Sequence, residues 1–370
     1  MSAKTRVAII FVGVSTEHDV SVVSASSIVR SINADRFETV LVGIDKDGRW
    51  LLGDGAFDAL KNGRTSAVEP VILSTDPQTR GFLHLGSSRL TPVDVIFPVL
   101  HGPRGEDGTI QGLFELANIA YVGCDTMASA IAMDKDMTKR VLAQHGIPVA
   151  KGTCVTRWMW DTDRDEVLRE IADTLTLPLF IKPATMGSSI GVTKAADMDA
   201  VARGLEYGLG FSTKAVVEQS VEGALEVEIA VLGNNEPKAS VPGQVIPSGE
   251  FYDFNAKYVD NASELIIPAR IGKVIAEEMQ FAAVDAFVAI GGSGMARIDF
   301  LVSADRESFF LNEINPIPGF TSISMYPKLW EATGLPYGEL LTKLIELALK
   351  RFEMNQSLTR TIVLEKGIGV

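Results

Sequence analysis

Residues 295–315 read MARIDFLVSADRESFFLNEIN. Two apolar runs, 295–302 and 309–315, flank a short polar connection and form a hairpin-like pair. Residues at i and i+2 share a strand face. Arg297 and Asp299 therefore point one way, and Ile298 and Phe300 the other. Glu313 and Asn315 likewise share a face, opposite Phe310 and Ile314. If the strands pair, two carboxylates, one amide and one guanidinium converge. Hard oxygen ligands of this type suit Mg²⁺, which usually bridges to phosphate oxygens. The other reading is a solvated face with an ion pair, because antiparallel sheets often keep one face wet.

Working outward, residues 6–12 read as a β-branched strand, 20–32 as a helix and 39–45 as a second strand. That is the βαβ signal of a parallel sheet covered by helices. A further strand, 93–100, ends at His101-Gly102-Pro103-Arg104-Gly105-Glu106-Asp107-Gly108. In open α/β sheets ligands gather at such carboxyl ends, so the Gly13 turn and the His101 loop are candidate site edges. Residues 127–144 read as one helix, stopped by Ile147-Pro148. Strands are expected at 179–182, 216–218 and 225–232, and helices at 274–290 and 337–352. The stretch 247–268 is long, polar and aromatic, the composition of a functional surface loop.

The chain has 370 residues, 46% hydrophobic and 22% charged, enough apolar material for two or three cored domains. Asp and Glu total 47 against 34 Lys and Arg, a formal net charge of −13. Nucleic acid and anionic membrane are poor partners for that balance, so any anionic ligand must meet local Lys or Arg. No apolar run is long enough to predict a membrane span. Cys124 and Cys154 lack metal-like spacing and read as buried thiols in a reducing compartment.

Neither G-x-x-x-x-G-K-[ST] nor G-x-G-x-x-G occurs. The small residues of Pro183-Ala184-Thr185-Met186-Gly187-Ser188-Ser189-Ile190-Gly191 would let backbone N–H groups approach a phosphate, with Lys182 as a point charge. The same composition also makes an ordinary loop. Lys257 could reach a phosphate or carboxylate on loop closure, or sit in a solvated turn. Glu17 could bind a substrate ammonium or simply favour a helix N-terminus. His101 could orient a substrate or be a satisfied strand-end histidine.

Taken in order, these segments resemble the D-alanine:D-alanine ligases of the ATP-grasp superfamily. The resemblance is carried by residues 13–21, by His101-Gly102 with Gly105-Glu106-Asp107-Gly108, and by Met133-Asp134-Lys135. It continues through Ile181-Lys182-Pro183 with the Gly187 to Gly191 run, Tyr252-Asp253, Lys257-Tyr258 and Arg297-Ile298-Asp299. It ends in Asn312-Glu313-Ile314-Asn315 with Pro318-Gly319-Phe320-Thr321-Ser322. Three positions depart from the pattern: Val12 stands for a frequent second Gly, Pro103 interrupts the His101 loop, and Pro316 replaces a usual Thr.

The resemblance implies an ATP-grasp fold with an N-terminal Rossmann-like parallel-sheet domain. The expected units are 1–124 for substrate, 125–219 as the central subdomain, and 220–370 as the catalytic domain with a lid at 247–268. It implies that D-alanine attacks ATP to give an acyl phosphate, which a second D-alanine converts to the dipeptide for peptidoglycan precursor synthesis. By the same resemblance, Asp299, Glu313 and Asn315 hold two Mg²⁺ ions, with Mn²⁺ as a substitute. Lys135, Lys182 and Ser189 meet phosphate, and Glu218 and Glu226 meet adenine and ribose. Arg297 and the N–H of Gly319 stabilise the oxyanion. Glu17 binds the first ammonium beside His101, and Ser324 and Lys257 hold the second carboxylate. Glu17, Ser188 and Tyr258 close the loop over the site, excluding water. The Lys257-Tyr258 pair implies D-alanine as acceptor, with D-lactate or D-serine as the alternative. The family further implies a cytoplasmic homodimer with small-molecule substrates only. A non-catalytic ATP-binding protein on this fold would lack the metal or oxyanion residues, yet all are present.

Overall fold

The computed structural model describes residues 3–13, 18–53, 55–61, 65, 68–246, 264–321 and 323–359. Three sheets organise them. The first has eight strands. Its buried half, Phe37–Ile44, Thr5–Val12, Val95–Val99 and Ala120–Tyr121, is parallel as expected. Its other half, Trp50–Leu52, Pro70–Leu73, Gly81–His84 and Leu90–Pro92, is an antiparallel meander. Strands of three or four residues carry too little alternation to be read from sequence.

The helix His18–Ser31 crosses between the first two strands and buries Ala25 and Ile28 against Val7, Ile9 and Phe97. Its buried Ser21 accepts the N–H of Val12 at 2.6 Å and donates to the carbonyl of Val99. One hydroxyl thus ties the ends of the two central strands together. Val12 sits at φ 79°, a left-handed conformation that is a genuine outlier for a β-branched residue. The departure from glycine noted at this position therefore occurs where backbone geometry favours glycine.

The second sheet is antiparallel, in the order Thr193–Ala195, Leu179–Pro183, Lys214–Gln219, Gly152–Thr156. The helices Arg164–Thr174 and Met198–Gly208 bury Val167, Ile171, Val201 and Leu205 with it. The third sheet places Leu225–Gly233 against Gly294–Val302, which pairs antiparallel with Phe309–Asn315. The helix Lys273–Ala289 covers it with Ile275, Met279, Ala283 and Phe287.

Two expectations are corrected. Residues 127–144 are two helices, Thr126–Met133 and Lys135–Gln144. Asp134 leaves helical geometry at ψ 102°, and its carboxylate accepts the N–H groups of Asp136 and Met137. This is an N-cap, which starts a new helix and redirects the chain. The stretch read as a loop to 268 contains the strand Glu264–Ile266, paired with Gly243–Ile246. The helix Tyr337–Gln356 returns to the first sheet, where Leu340, Leu344 and Ile345 join the same core as Val7 and Phe97. Each such buried side chain contributes roughly 1.5–3 kcal/mol. Both cysteines are free thiols; Cys124 is buried as expected, but Cys154 is only half-buried, on the strand Gly152–Thr156 at the edge of its sheet. No described helix is long and apolar enough to cross a membrane.

Candidate active site

The second and third sheets enclose a cleft of about 330 Å³, lined by Lys135, Lys182, Ser189, Glu226, Asp299 and Glu313 among others. Its floor is the strand pair that opened the sequence reading. Arg297 lies opposite Asn315, and Asp299 opposite Glu313. Directly opposed residues of an antiparallel pair bring their side chains close on one face. The Arg297 guanidinium donates twice to Asp299, at 2.7 and 2.6 Å, and lies 3.0 Å from Glu228 on the next strand. Asn315 Nδ2 donates to Asp299 at 2.9 Å. Burial disfavours the Arg297 charge, but Asp299 and Glu228 overcome this and hold its pKa well above the ordinary value.

A β-bulge between Asp299 and Phe300 breaks the alternation expected of the second strand. Leu311 and Ile314 face the core, so Phe310 is not the core partner of Ile314. The extra residue, Asn312, lines the cleft beside Glu313. Bulges of this kind re-aim side chains near functional sites.

Cations stand across from these acids. Lys135 Nζ donates to the carbonyl of Met186 at 2.7 Å and lies 3.5 Å from Glu313. The break at Asp134 makes this possible, since the Lys135 N–H also donates to Ala184 O at 2.9 Å. Lys182 donates to Glu218 at 2.9 Å and Asn312 at 2.8 Å, and Lys139 lies 3.0 Å from Glu218. Burial would raise the Glu218 carboxyl, but Lys139 and Lys182 hold it at about 2. It is therefore an ionised, acceptor-only group. Burial in turn lowers Lys139, against the pull of Glu218.

Ser188 and Ser189 stand at φ 51° and 57°, consecutive left-handed residues on the loop above the cleft. Such strain clusters at ligand-gripping segments, and turn N–H groups in these conformations form anion-binding concavities. Gly191 closes the loop, where a Cβ would come 2.7 Å from Pro183 Cγ.

Beyond Asn315, Gly319 lies against Ser324, whose Oγ accepts the Thr321 N–H at 3.0 Å. A Cβ on residue 319 would stand 2.7 Å from that Oγ, so a side chain here would displace the Ser324 hydroxyl. Phe320 packs edge-on to Phe97 and donates its N–H to Ser24, docking the segment on the first domain. His101 is buried at the end of Val95–Val99, in a loop held by Glu106 accepting the Gly102 N–H at 2.5 Å.

The D-ala D-ala ligase N-terminus family matches residues 6–124, and the D-ala D-ala ligase C-terminus family matches residues 141–346. The D-alanine--D-alanine ligase of Heliobacterium modesticaldum is 46% identical over 355 residues, covering 95% of this chain and 97% of its own. That of Acetivibrio thermocellus is 44% identical over 371 residues, covering 96% and 98%. The chain belongs to the D-alanine–D-alanine ligase family. Among solved structures, the D-Ala:D-Ser ligase of Enterococcus faecalis matches with TM-score 0.84 at 37% identity, covering 94% of this chain and 100% of that one. The D-alanine-D-alanine ligase of Coxiella burnetii matches with TM-score 0.84 at 34% identity, covering 95% and 96%. The fold of this ligase-family chain is thus α/β and α+β, of ATP-grasp type.

Within this family member, the structure gathers Lys135, Lys182, Ser189, Glu226, Asp299 and Glu313 around one cleft. Glu218 joins them through Lys182, and Arg297 and Asn315 through Asp299. His101, Gly319 and Ser324 are not in that lining: His101 is buried after the strand Val95–Val99, and Gly319 and Ser324 flank Phe320, which bonds Ser24 of the first helix. Glu17, Lys257 and Tyr258 lie outside the described residues. The sequence reading missed Lys139, Glu228 and Asn312. Lys139 follows Lys135 by one helical turn and Glu228 follows Glu226 by two strand positions, both readable as shared faces. Asn312 carried no such signal, because a bulge is not visible in alternation.

The donor set fits Mg²⁺. Asp299, Glu313 and Asn315 are hard oxygen donors, and the two carboxylates face each other across the strand pair. Among the described residues no cluster of three His, Cys, Asp or Glu side chains could hold an ion by itself.

Proposed function

We propose that the chain joins two D-alanine molecules at the expense of ATP, giving D-alanyl-D-alanine, ADP and phosphate, a cytoplasmic step toward peptidoglycan precursors. The observation that carries this reading is the single cleft that sets Lys135 and Lys182 opposite Asp299 and Glu313, beneath a strained small-residue loop. Cations for phosphate and oxygen donors for a divalent ion are what phosphoryl transfer requires, since catalysis there is positioning plus charge neutralisation.

In this reading a carboxylate oxygen of the first D-alanine attacks the γ-phosphorus and ADP leaves. The amine of the second D-alanine attacks the acyl-phosphate carbonyl and loses a proton, and inorganic phosphate departs. Lys135 and Lys182 meet phosphate oxygens, with Ser188 and Ser189 gripping them from the loop. Glu218 and Glu226 take the nucleoside end. Arg297 and the Gly319 N–H face the developing oxyanion, an interaction worth about 3–4 kcal/mol per donor. His101 and Glu17 receive the first amino acid, and Ser324 with Lys257 the second carboxylate, under a lid closed through Tyr258. Asp299, Glu313 and Asn315 would hold two Mg²⁺ ions, or Mn²⁺, which supply neutralisation of the triphosphate charge. A homodimer of three-unit chains, divided at 124 and 219, completes the proposal.

A second reading is ligation of D-alanine to D-serine or D-lactate, of which the D-serine case has a D-Ala:D-Ser ligase among the structural relatives. Both are tested by incubating the protein with ATP, Mg²⁺ and D-alanine, then with equimolar D-serine and D-lactate added. The expected result is phosphate release that depends on D-alanine, with D-alanyl-D-alanine as the main product by mass spectrometry. No release above background would overturn ligation. A predominant mixed dipeptide or depsipeptide would replace the first reading by the second.

A further inference from the structure

Lys139 has no role in the account above, yet its ammonium is held inside the site. It comes off the same helix face as Lys135, one turn later. Lys135 turns to the Met186 carbonyl and Glu313. Lys139 turns to Glu218, 3.0 Å from Oε1. The other oxygen, Oε2, takes Lys182 at 2.9 Å, and Lys182 also donates to Asn312 at 2.8 Å. The Glu218 side chain is 2% exposed, and those of Lys139 and Lys182 are 11% and 12% exposed. One buried carboxylate therefore has two ammonium partners.

The surplus has a consequence under the function proposed above, on which this inference rests. Lys182 can meet a nucleotide phosphate only by turning away from Glu218 and Asn312. Leaving Asn312 breaks one neutral acceptor contact. Leaving Glu218 would strand a buried carboxylate, which is strongly unfavourable when no other cation remains. Lys139 is that other cation, and it approaches the opposite oxygen. We propose that Lys139 is a positioning residue, the standing counter-ion of Glu218, whose presence releases Lys182 to the nucleotide phosphates. The opposing pulls on the pair agree with this, since burial disfavours the charge on each partner and each restores it on the other.

The test is a double-mutant cycle on the full-length protein, read as KM for ATP and kcat at saturating D-alanine. Lys139→Met should raise KM for ATP about tenfold or more, the scale of truncating one member of a buried charge pair, with kcat within about threefold. In a Glu218→Gln background Lys182 is no longer held by a charge, so adding Lys139→Met should change KM less than about twofold. Lys139→Arg should stay within about threefold of wild type. If Lys139→Met alone fails to fold, the double variant, which removes both partners, should fold and carry the comparison with Glu218→Gln. Equal KM increases in both backgrounds, or an unchanged KM in the single variant, would overturn the inference and leave the proposed function intact. A wild-type protein without ATP turnover would overturn both.

Discussion

Arg297 concentrates the chemistry at the residue scale. It is shared between Asp299 and Glu228, so its removal leaves two inward-facing carboxylates without their main cation. Arg297→Ala is expected to cost about 3–5 kcal/mol of stability by that route. Under the proposed function it should also lower kcat by about 10²–10³ while changing ATP affinity much less, because the proposed contact with the oxyanion would exist only in the transition state. Adding Glu228→Gln separates the two effects. Denaturant titration should show part of the stability returning, while turnover stays low. Recovery of turnover together with stability would contradict the oxyanion role. Glu218 gives a second expectation. Its folded pKa of about 2 lies below the ordinary 4.5, so its stabilisation is full above about pH 4.5 and is lost as pH falls toward 2. Glu218→Gln should therefore flatten the acid limb of the stability profile over that window. A limb unchanged in slope would show that Glu218 titrates normally in the folded chain.

At the scale of elements, what the sequence revealed followed the strength of each local signal. The strand Gly294–Val302 alternates through Arg297, Ile298, Asp299 and Phe300 and was legible, as was the helix between Thr5–Val12 and Phe37–Ile44. The break at Asp134 was legible in principle, because an Asp before Lys-Asp at a turn of helix is an N-cap signal. Apolar spacing on both sides hid it. The bulge at Asn312 was not legible, since one added residue leaves composition unchanged and shows only in the register. The short strands between 50 and 92 were lost for want of length. Residues implied by family likeness, among them Gly319 and Ser324, had no local signal of their own. The cap has a measurable weight. Asp134 accepts two helix N–H groups and pairs with Lys214 at 2.5 Å. Asp134→Ala should cost about 1–2 kcal/mol in urea titration and raise KM for ATP, because it unseats the turn that presents Lys135. A change below about 0.3 kcal/mol with unaltered KM would mean that the break is held by tertiary packing instead.

Across the whole molecule, the third sheet is tied to the first through the last described helix, Tyr337–Gln356. Arg351 on Tyr337–Gln356 donates to the carbonyls of Tyr121 and Gly123 and to Ser293, and its guanidinium lies 4.5 Å from the Tyr121 ring centroid. Tyr121 ends the last strand of the first sheet, Gly123 follows it, and Ser293 precedes the strand that carries Arg297 and Asp299. One buried side chain therefore ties the strand Gly294–Val302 to the end of the first sheet. Arg351→Ala should destabilise by roughly 3 kcal/mol, since each buried carbonyl left without a donor costs about 1–3. A loss under about 1 kcal/mol by urea titration would show that apolar packing of the helix is sufficient. A net charge of −13 also means that ATP is drawn to the cleft only by its own lysines, not by the surface at large. The most direct test of the account is a crystal structure with Mg²⁺ and a non-hydrolysable ATP analogue. It should show divalent ions among Asp299, Glu313 and Asn315 against the phosphates, with Lys182 moved from Glu218 onto a phosphate oxygen. A nucleotide bound elsewhere, or these three side chains turned away from it, would contradict the account.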